Sequence, residues 1–154
     1  LRPSLIYPVL AIILVIGLSD PISFTVRNHP FENMYFNRLA GKDMLQIKQR
    51  FEFDYWGLAF KQGIDYILKS DPDQKIPIFV TPPGISYIDY LLPDNLRGRL
   101  VVKDSPDQAR YFVGIYGSIP EEYPYQKEIY SVNLDGASLL SIYDLRVEPD
   151  NHSK

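Results

Sequence analysis

The chain has 154 residues, the size of one ordinary domain, and its 45% hydrophobic and 23% charged content sits near the globular average, which excludes disorder for its bulk. The formal net charge is −3. Residues 1–20 contribute only Arg2 and Asp20, so the remainder keeps that charge with both signs interspersed, and no basic field exists for a nucleic-acid partner. The absence of cysteine excludes disulfides, thiolate zinc sites and a cysteine nucleophile.

The apolar content is uneven. Leu5 to Leu18 carries no charge, and only Tyr7, Pro8 and Gly17 interrupt it. Fourteen helical residues rise about 21 Å, short of the roughly 30 Å hydrocarbon core. Three readings stay open. The run is the end of a transmembrane helix belonging to a longer chain, consistent with a start at Leu1. Alternatively it is a signal-peptide core, with Arg2 as its charged start and Gly17-Leu18-Ser19 as a small-residue cleavage site. It also suits a buried helix of a soluble domain. Asp20-Pro21 is expected to stop the helix, and Ile22, Phe24 and Val26 then alternate as an interfacial or extended segment would.

Residues 21–50 read as an interfacial junction. His29-Pro30 opens an extended or turn dipeptide, because proline biases the residue before it away from helix. Glu32 to Ala40 suits a short amphipathic helix with Gly41 as its cap, followed by a short polar segment. Met34, Tyr35 and Phe36 are side chains that a segment at a bilayer surface presents, and they serve equally as a packed linker. His29 lacks a second histidine within motif reach, so no metal site is expected.

Phe51-Glu52-Phe53-Asp54 alternates, placing two rings on one face and two carboxylates on the other. The carboxylates suit cation binding or acid/base work. Asp54 equally suits an N-cap, because it precedes the best helical pattern in the chain. In that pattern Trp56, Phe60, Ile64, Ile67 and Leu68 recur at helical spacing up to about Lys69. Ser70-Asp71-Pro72-Asp73 ends it. Asp71-x-Asp73 imitates a nucleotide-sugar metal pair, but the central proline and the helix-end setting make it a turn.

Ile76–Val80 reads as a buried strand, Ile85–Leu92 as a helix, and Leu100–Lys103 and Tyr111–Tyr116 as further strands. The Thr81-Pro82-Pro83-Gly84 loop lacks the backbone donors of a phosphate cradle, and no Walker or dinucleotide motif is present, so no nucleotide or other cofactor is expected. Ser105-Pro106 starts a helical turn, and Glu121–Lys127 is a loop. Glu128–Leu134 and Ser138–Arg146 flank Asp135-Gly136, the strongest hairpin signal in the chain. A polar tail follows from residue 148, and Asn151-His152-Ser153 is a glycosylation sequon. The expected fold is α/β: a small, mostly parallel sheet flanked by helices, closed by an antiparallel hairpin over residues 51–147 and preceded by the apolar helix.

His29-Pro30-Phe31 running into Tyr35-Phe36-Asn37, and then Phe51-Glu52-Phe53-Asp54-Tyr55-Trp56-Gly57 opening a helix, resembles a known pattern. It is similar to the region after the last membrane helix in bacterial and archaeal polytopic, GT-C-type glycosyltransferases, enzymes similar to dolichyl-phosphate-mannose-protein mannosyltransferases. The hairpin from Ile129 to Asp144 resembles the end of those chains. The resemblance implies a lipid bilayer and the remaining membrane domain of the same polypeptide as partners, with a polyprenyl-phosphate sugar or glycan acceptor nearby. It places residues after about 20 outside the cytoplasm. The family's catalytic carboxylate belongs to an early loop with no counterpart here, so no catalytic residue is carried over. His29, Tyr35, Asn37, Glu52, Asp54 and Trp56 match the terminal-domain pattern as binding or structural candidates. Two other readings remain: a secreted or membrane-anchored carbohydrate-binding module that stacks sugars on tyrosines and Trp56, and a nucleotide-binding α/β domain, which the Pro82-Pro83 loop disfavours.

Overall fold

The computed structural model describes residues 3–37, 39–82, 84–117 and 123–146. The tail, the sequon, Arg2 and the start of the Glu121–Lys127 loop lie outside them.

The apolar segment forms one helix, α1, from Pro3 to Asn28. Its 26 residues rise about 39 Å, enough to cross a bilayer by length and apolar composition, a test that a signal sequence also meets. Residues 5–18 are exposed throughout, so the buried-helix reading does not hold. The helix also does not stop at Asp20-Pro21. Pro21 removes one backbone donor, but docking of the following turns outweighs that loss. Asp20, Phe24 and Asn28 are four residues apart and share one face. Tyr35 donates to Asp20 at 3.2 Å, Phe24 is buried edge-on to Tyr35 at 5.4 Å, and Asn28 donates to Asp135 at 3.3 Å.

A cis peptide at His29-Pro30 turns the chain into the junction. The expected Glu32–Ala40 helix shrinks to a single 3-10 turn, Glu32–Met34. Ring packing competes with helix here: Phe36 stacks on Phe53 at 5.7 Å and meets Phe51 at 5.0 Å, while Tyr35 adopts an extended backbone. Gly41 caps nothing; a Cβ there would meet Ile47 at 2.7 Å. The short polar segment instead contains α2, Met44–Lys48. Asp43 caps it by accepting from the Gln46 amide at 2.8 Å, and the Gln46 side-chain oxygen accepts from the Lys42 amide at 3.0 Å.

α3 spans Leu58–Ser70, β1 Ile76–Val80, α4 Gly84–Leu91 and α5 Asp94–Arg97, a short helix not expected from the sequence. β2 covers Leu100–Val102, β3 Tyr111–Ile115, β4 Glu128–Leu134 and β5 Ala137–Asp144. The strand order is β2-β1-β3-β5-β4. β1 pairs in parallel with β2 and β3, whereas β5 pairs antiparallel with β3 and β4. The fold is α/β as expected, and its sheet is mixed rather than mostly parallel, because the hairpin joins β3 directly. The hairpin turns at Asp135-Gly136, both with positive φ, as its right-handed twist requires.

α3 and α4 cover one sheet face. Phe60, Ile64 and Ile67 are fully buried, and side chains of this size each contribute about 1.5–3 kcal/mol on burial. A Cβ on Gly63 of α3 would lie 2.7 Å from Leu140, and one on Gly84 of α4 would lie 2.3 Å from Val80 and 2.7 Å from Ile115. On the opposite face Phe79, Phe112 and Tyr143 sit in register across β1, β3 and β5, with Phe79 stacked on Phe112 at 5.4 Å. Junction residues Phe24, Phe31, Met34, Met44, Ile47 and Phe53 belong to the same core as the sheet.

Gly84→Ala should destabilise the fold by about 1–3 kcal/mol, read as a lowered midpoint in chemical denaturation, because its methyl group meets packed side chains from three elements.

Candidate functional site

The six residues singled out from the sequence separate into three places. His29 pairs with Glu32 at the surface, and that bond holds the Glu32 carboxyl below its ordinary value. Tyr35 and Asn37 line a cleft of about 270 Å³ between α1 and the junction, with Asp20, Arg27, Lys42 and Asp135 also on its walls. Within it, Asn37 shapes its own turn by accepting from the Leu39 amide at 3.0 Å.

Glu52, Asp54 and Trp56 come together at the start of α3. Asp54 was expected to share a face with Glu52 along a strand, but residues 52–54 form no strand. Asp54 turns inward with φ +54° and is 4% exposed, while Glu52 stays at the surface. The cap reading of Asp54 holds. Its Oδ1 accepts from the Leu58 amide at 2.7 Å and its Oδ2 from the Ala59 amide at 2.9 Å. It reaches these donors from three residues before Gly57, the residue at the helix boundary. Gly57 has φ +68°, and a Cβ there would meet the Tyr87 ring at 2.9 Å, so this turn requires glycine. Tyr87 completes the support by donating to the Tyr55 carbonyl at 3.2 Å.

This turn lifts Tyr55 and Trp56 out of the domain. Trp56 was expected to lead the buried stripe of α3, yet it lies before the helix and is 62% exposed. Its ring meets Tyr55 edge-on at 5.3 Å. With Glu52, Ser86, Tyr87 and Tyr90 these rings line a groove of about 330 Å³. The sequence signal for the far wall was Ser86 and Tyr90, one turn apart on the exposed side of α4.

Burial pushes the Asp54 carboxyl up from 3.8 to about 6, even though the amides of Leu58, Ala59 and Phe60 pull it down. Burial also pushes the Tyr87 hydroxyl up to about 12, with the charges of Asp54, Tyr90 and Glu52 adding to it. The groove offers the Glu52 carboxyl group at its rim, the Tyr87 hydroxyl and open ring faces. Such a lining suits contact with a polar ligand that has apolar faces.

The Asp71-Pro72-Asp73 turn is a structural ion pair. Asp71 is buried, and Arg110 binds both carboxylates, reaching Asp73 at 2.7 Å. Among the described residues no group of three or more His, Cys, Asp or Glu could hold a metal ion. Comparison with protein-family models, curated proteins and solved structures found no match for this chain.

Replacing Asp54 with Asn keeps a helix-capping oxygen and tolerates positive φ, but removes the titration. The folded carboxyl titrates above its unfolded value of about 3.9, so wild-type stability should fall as pH rises from about 4 to about 6. Asp54→Asn lacks that fall. Denaturation across this range should show the variant gaining on the wild type up to about pH 6, with a constant difference beyond it.

Proposed function

We propose that this chain is the non-catalytic C-terminal, extracytoplasmic domain of an integral-membrane glycosyltransferase that transfers a sugar from a polyprenyl-phosphate donor. The observation that carries the proposal is the coupling of α1 to the domain. A lipid-length helix with an uncovered apolar surface ends in turns that share the domain's core. Such a helix is stable when hydrocarbon surrounds residues 5–18, and it then holds the domain at the membrane surface in one orientation. The cleft lined by Tyr35 and Asn37 would face the headgroup layer. The junction motifs from His29 to Gly57 bring the glycosyltransferase resemblance.

In this reading the catalytic carboxylate is supplied by the membrane domain. An acceptor hydroxyl, relieved of its proton, attacks the anomeric carbon, and the lipid phosphate leaves with the bonding electrons. The exposed Tyr55–Trp56 pair favours a second reading, a membrane-anchored carbohydrate-binding module whose rings stack on sugar faces.

Sequencing the gene upstream of Leu1 tests the first reading. Several further apolar segments with an acidic residue in the first loop are expected. A start codon immediately before Leu1 would overturn it.

A further inference from the structure

A second concavity lies away from the groove, on the sheet face opposite α3 and α4. It holds about 360 Å³ over β4 and β5, and its lining differs in kind from the other cavities. Among the described residues, Tyr116, Tyr123, Tyr125 and Tyr143 form its aromatic side, and serine, asparagine and glutamine side chains with Glu128 form the rest. Among the described residues, no aliphatic side chain lines it. This is unusual for a small-molecule pocket, where apolar walls normally dominate.

The polar groups form two chains. Tyr116 donates to Ser141 at 3.2 Å, and Ser141 donates to Glu128 at 3.3 Å. Ser138 donates to Asn133 at 3.0 Å, and Asn133 donates to Ser131 at 3.3 Å. These bonds leave unused valences at the rim: the Ser131 hydroxyl proton, the second Asn133 N–H and the Glu128 Oε2. Burial and the bond with Tyr116 raise the Tyr143 hydroxyl well above its ordinary value, so it stays a neutral donor.

Charge excludes most ligand classes. Lys48, which reaches the Tyr116 and Ser138 side of the pocket, is already committed: it donates to the Ser138 carbonyl at 2.7 Å and sits 4.7 Å over the Tyr116 ring. Among the described residues that line the pocket there is no cation, so a phosphate or nucleotide would meet the Glu128 carboxyl group uncompensated. An apolar ligand would leave hydroxyls and amides unsatisfied. What fits is a neutral ligand whose groups each donate and accept, with a hydrophobic face to lay on tyrosine rings. Tyr123, on the pocket's aromatic side, donates to the Ile115 carbonyl at 2.7 Å.

We propose that the tyrosine–serine pocket over β4 and β5 is a binding site for a neutral saccharide. The proposal deepens the glycosyltransferase reading by giving the domain a glycan contact, and it rests on that reading for its biological setting only. The test uses the full chain in lipid nanodiscs, which avoids sugar-based detergents, with isotope-labelled tyrosine rings observed by NMR. Maltose, lactose and mannobiose are the probes. At least one should shift the Tyr125 and Tyr143 ring signals saturably at millimolar concentration. Asn133→Ala and Glu128→Gln, both at exposed positions, should weaken that binding about three- to tenfold while leaving the unbound spectrum otherwise intact. Absence of saturable shifts with all three sugars overturns the site, as does unchanged affinity in both variants. Either failure leaves the upstream-gene test of the transferase reading untouched, and a start codon before Leu1 leaves this binding test untouched.

Discussion

The architecture depends on the burial of Phe24. This ring lies on the last turns of an otherwise uncovered helix, and it is packed against Tyr35 inside the domain's own core. Helix and domain are therefore one body at this point. The polar contacts of Asp20 and Asn28, one turn to either side, fix the rotation of the helix about its axis. Without that docking Pro21 would be a natural end, and the eight residues from Pro21 to Asn28 would be a loose connection. With it, α1 enters the fold as a rigid lever, and whatever surrounds residues 5–18 sets the orientation of the sheet.

A second constraint operates at the other end of the junction. Asp54 satisfies two amide donors of α3 from a left-handed turn, and Gly57 permits the same handedness where Tyr87 leaves no room for a side chain. The consequence is the exposure of Tyr55 and Trp56. Two large rings in water cost free energy that a folding criterion alone would remove. They are displayed by a carboxylate that itself prefers to be neutral when buried, so two unfavourable features occur within three residues of one another. Such departures from local consistency are where binding surfaces are commonly found.

Much of this fold was readable in the residues. The hairpin at Asp135-Gly136, the strand at Ile76–Val80 and the periodic stripe of α3 are local signals, and local physics decides them. The Asp43 cap was also present in the sequence, but a five-residue helix carries too little periodicity to stand out. The continuation of α1 past Pro21 and the loss of helix after Met34 were not readable, because contacts distant in sequence decide both. Among the candidate residues, Glu52, Asp54 and Trp56 met in one place because they are close in sequence. Tyr87 and Tyr90, which complete the groove, come from α4, and the contacts of Tyr87 with the Gly57 turn, the Tyr55 carbonyl and Phe60 bring them there. The pocket over β4 and β5 was equally hidden: alternation shows that Ser131, Asn133 and Tyr143 leave the core face, but register alone sets them beside Tyr116.

Because the chain has no cysteine, single cysteines can be introduced without prior removal of others. Spin labels placed one at a time along α1 and at Trp56, in lipid vesicles, report directly whether each site lies in hydrocarbon or in water. Labels at Val9, Ile13 and Ile16 should be accessible to oxygen and shielded from a water-soluble relaxant, while a label at residue 56 should show the reverse. Ready access of the water-soluble relaxant to all three helix positions would contradict an apolar helix that anchors the domain in a bilayer.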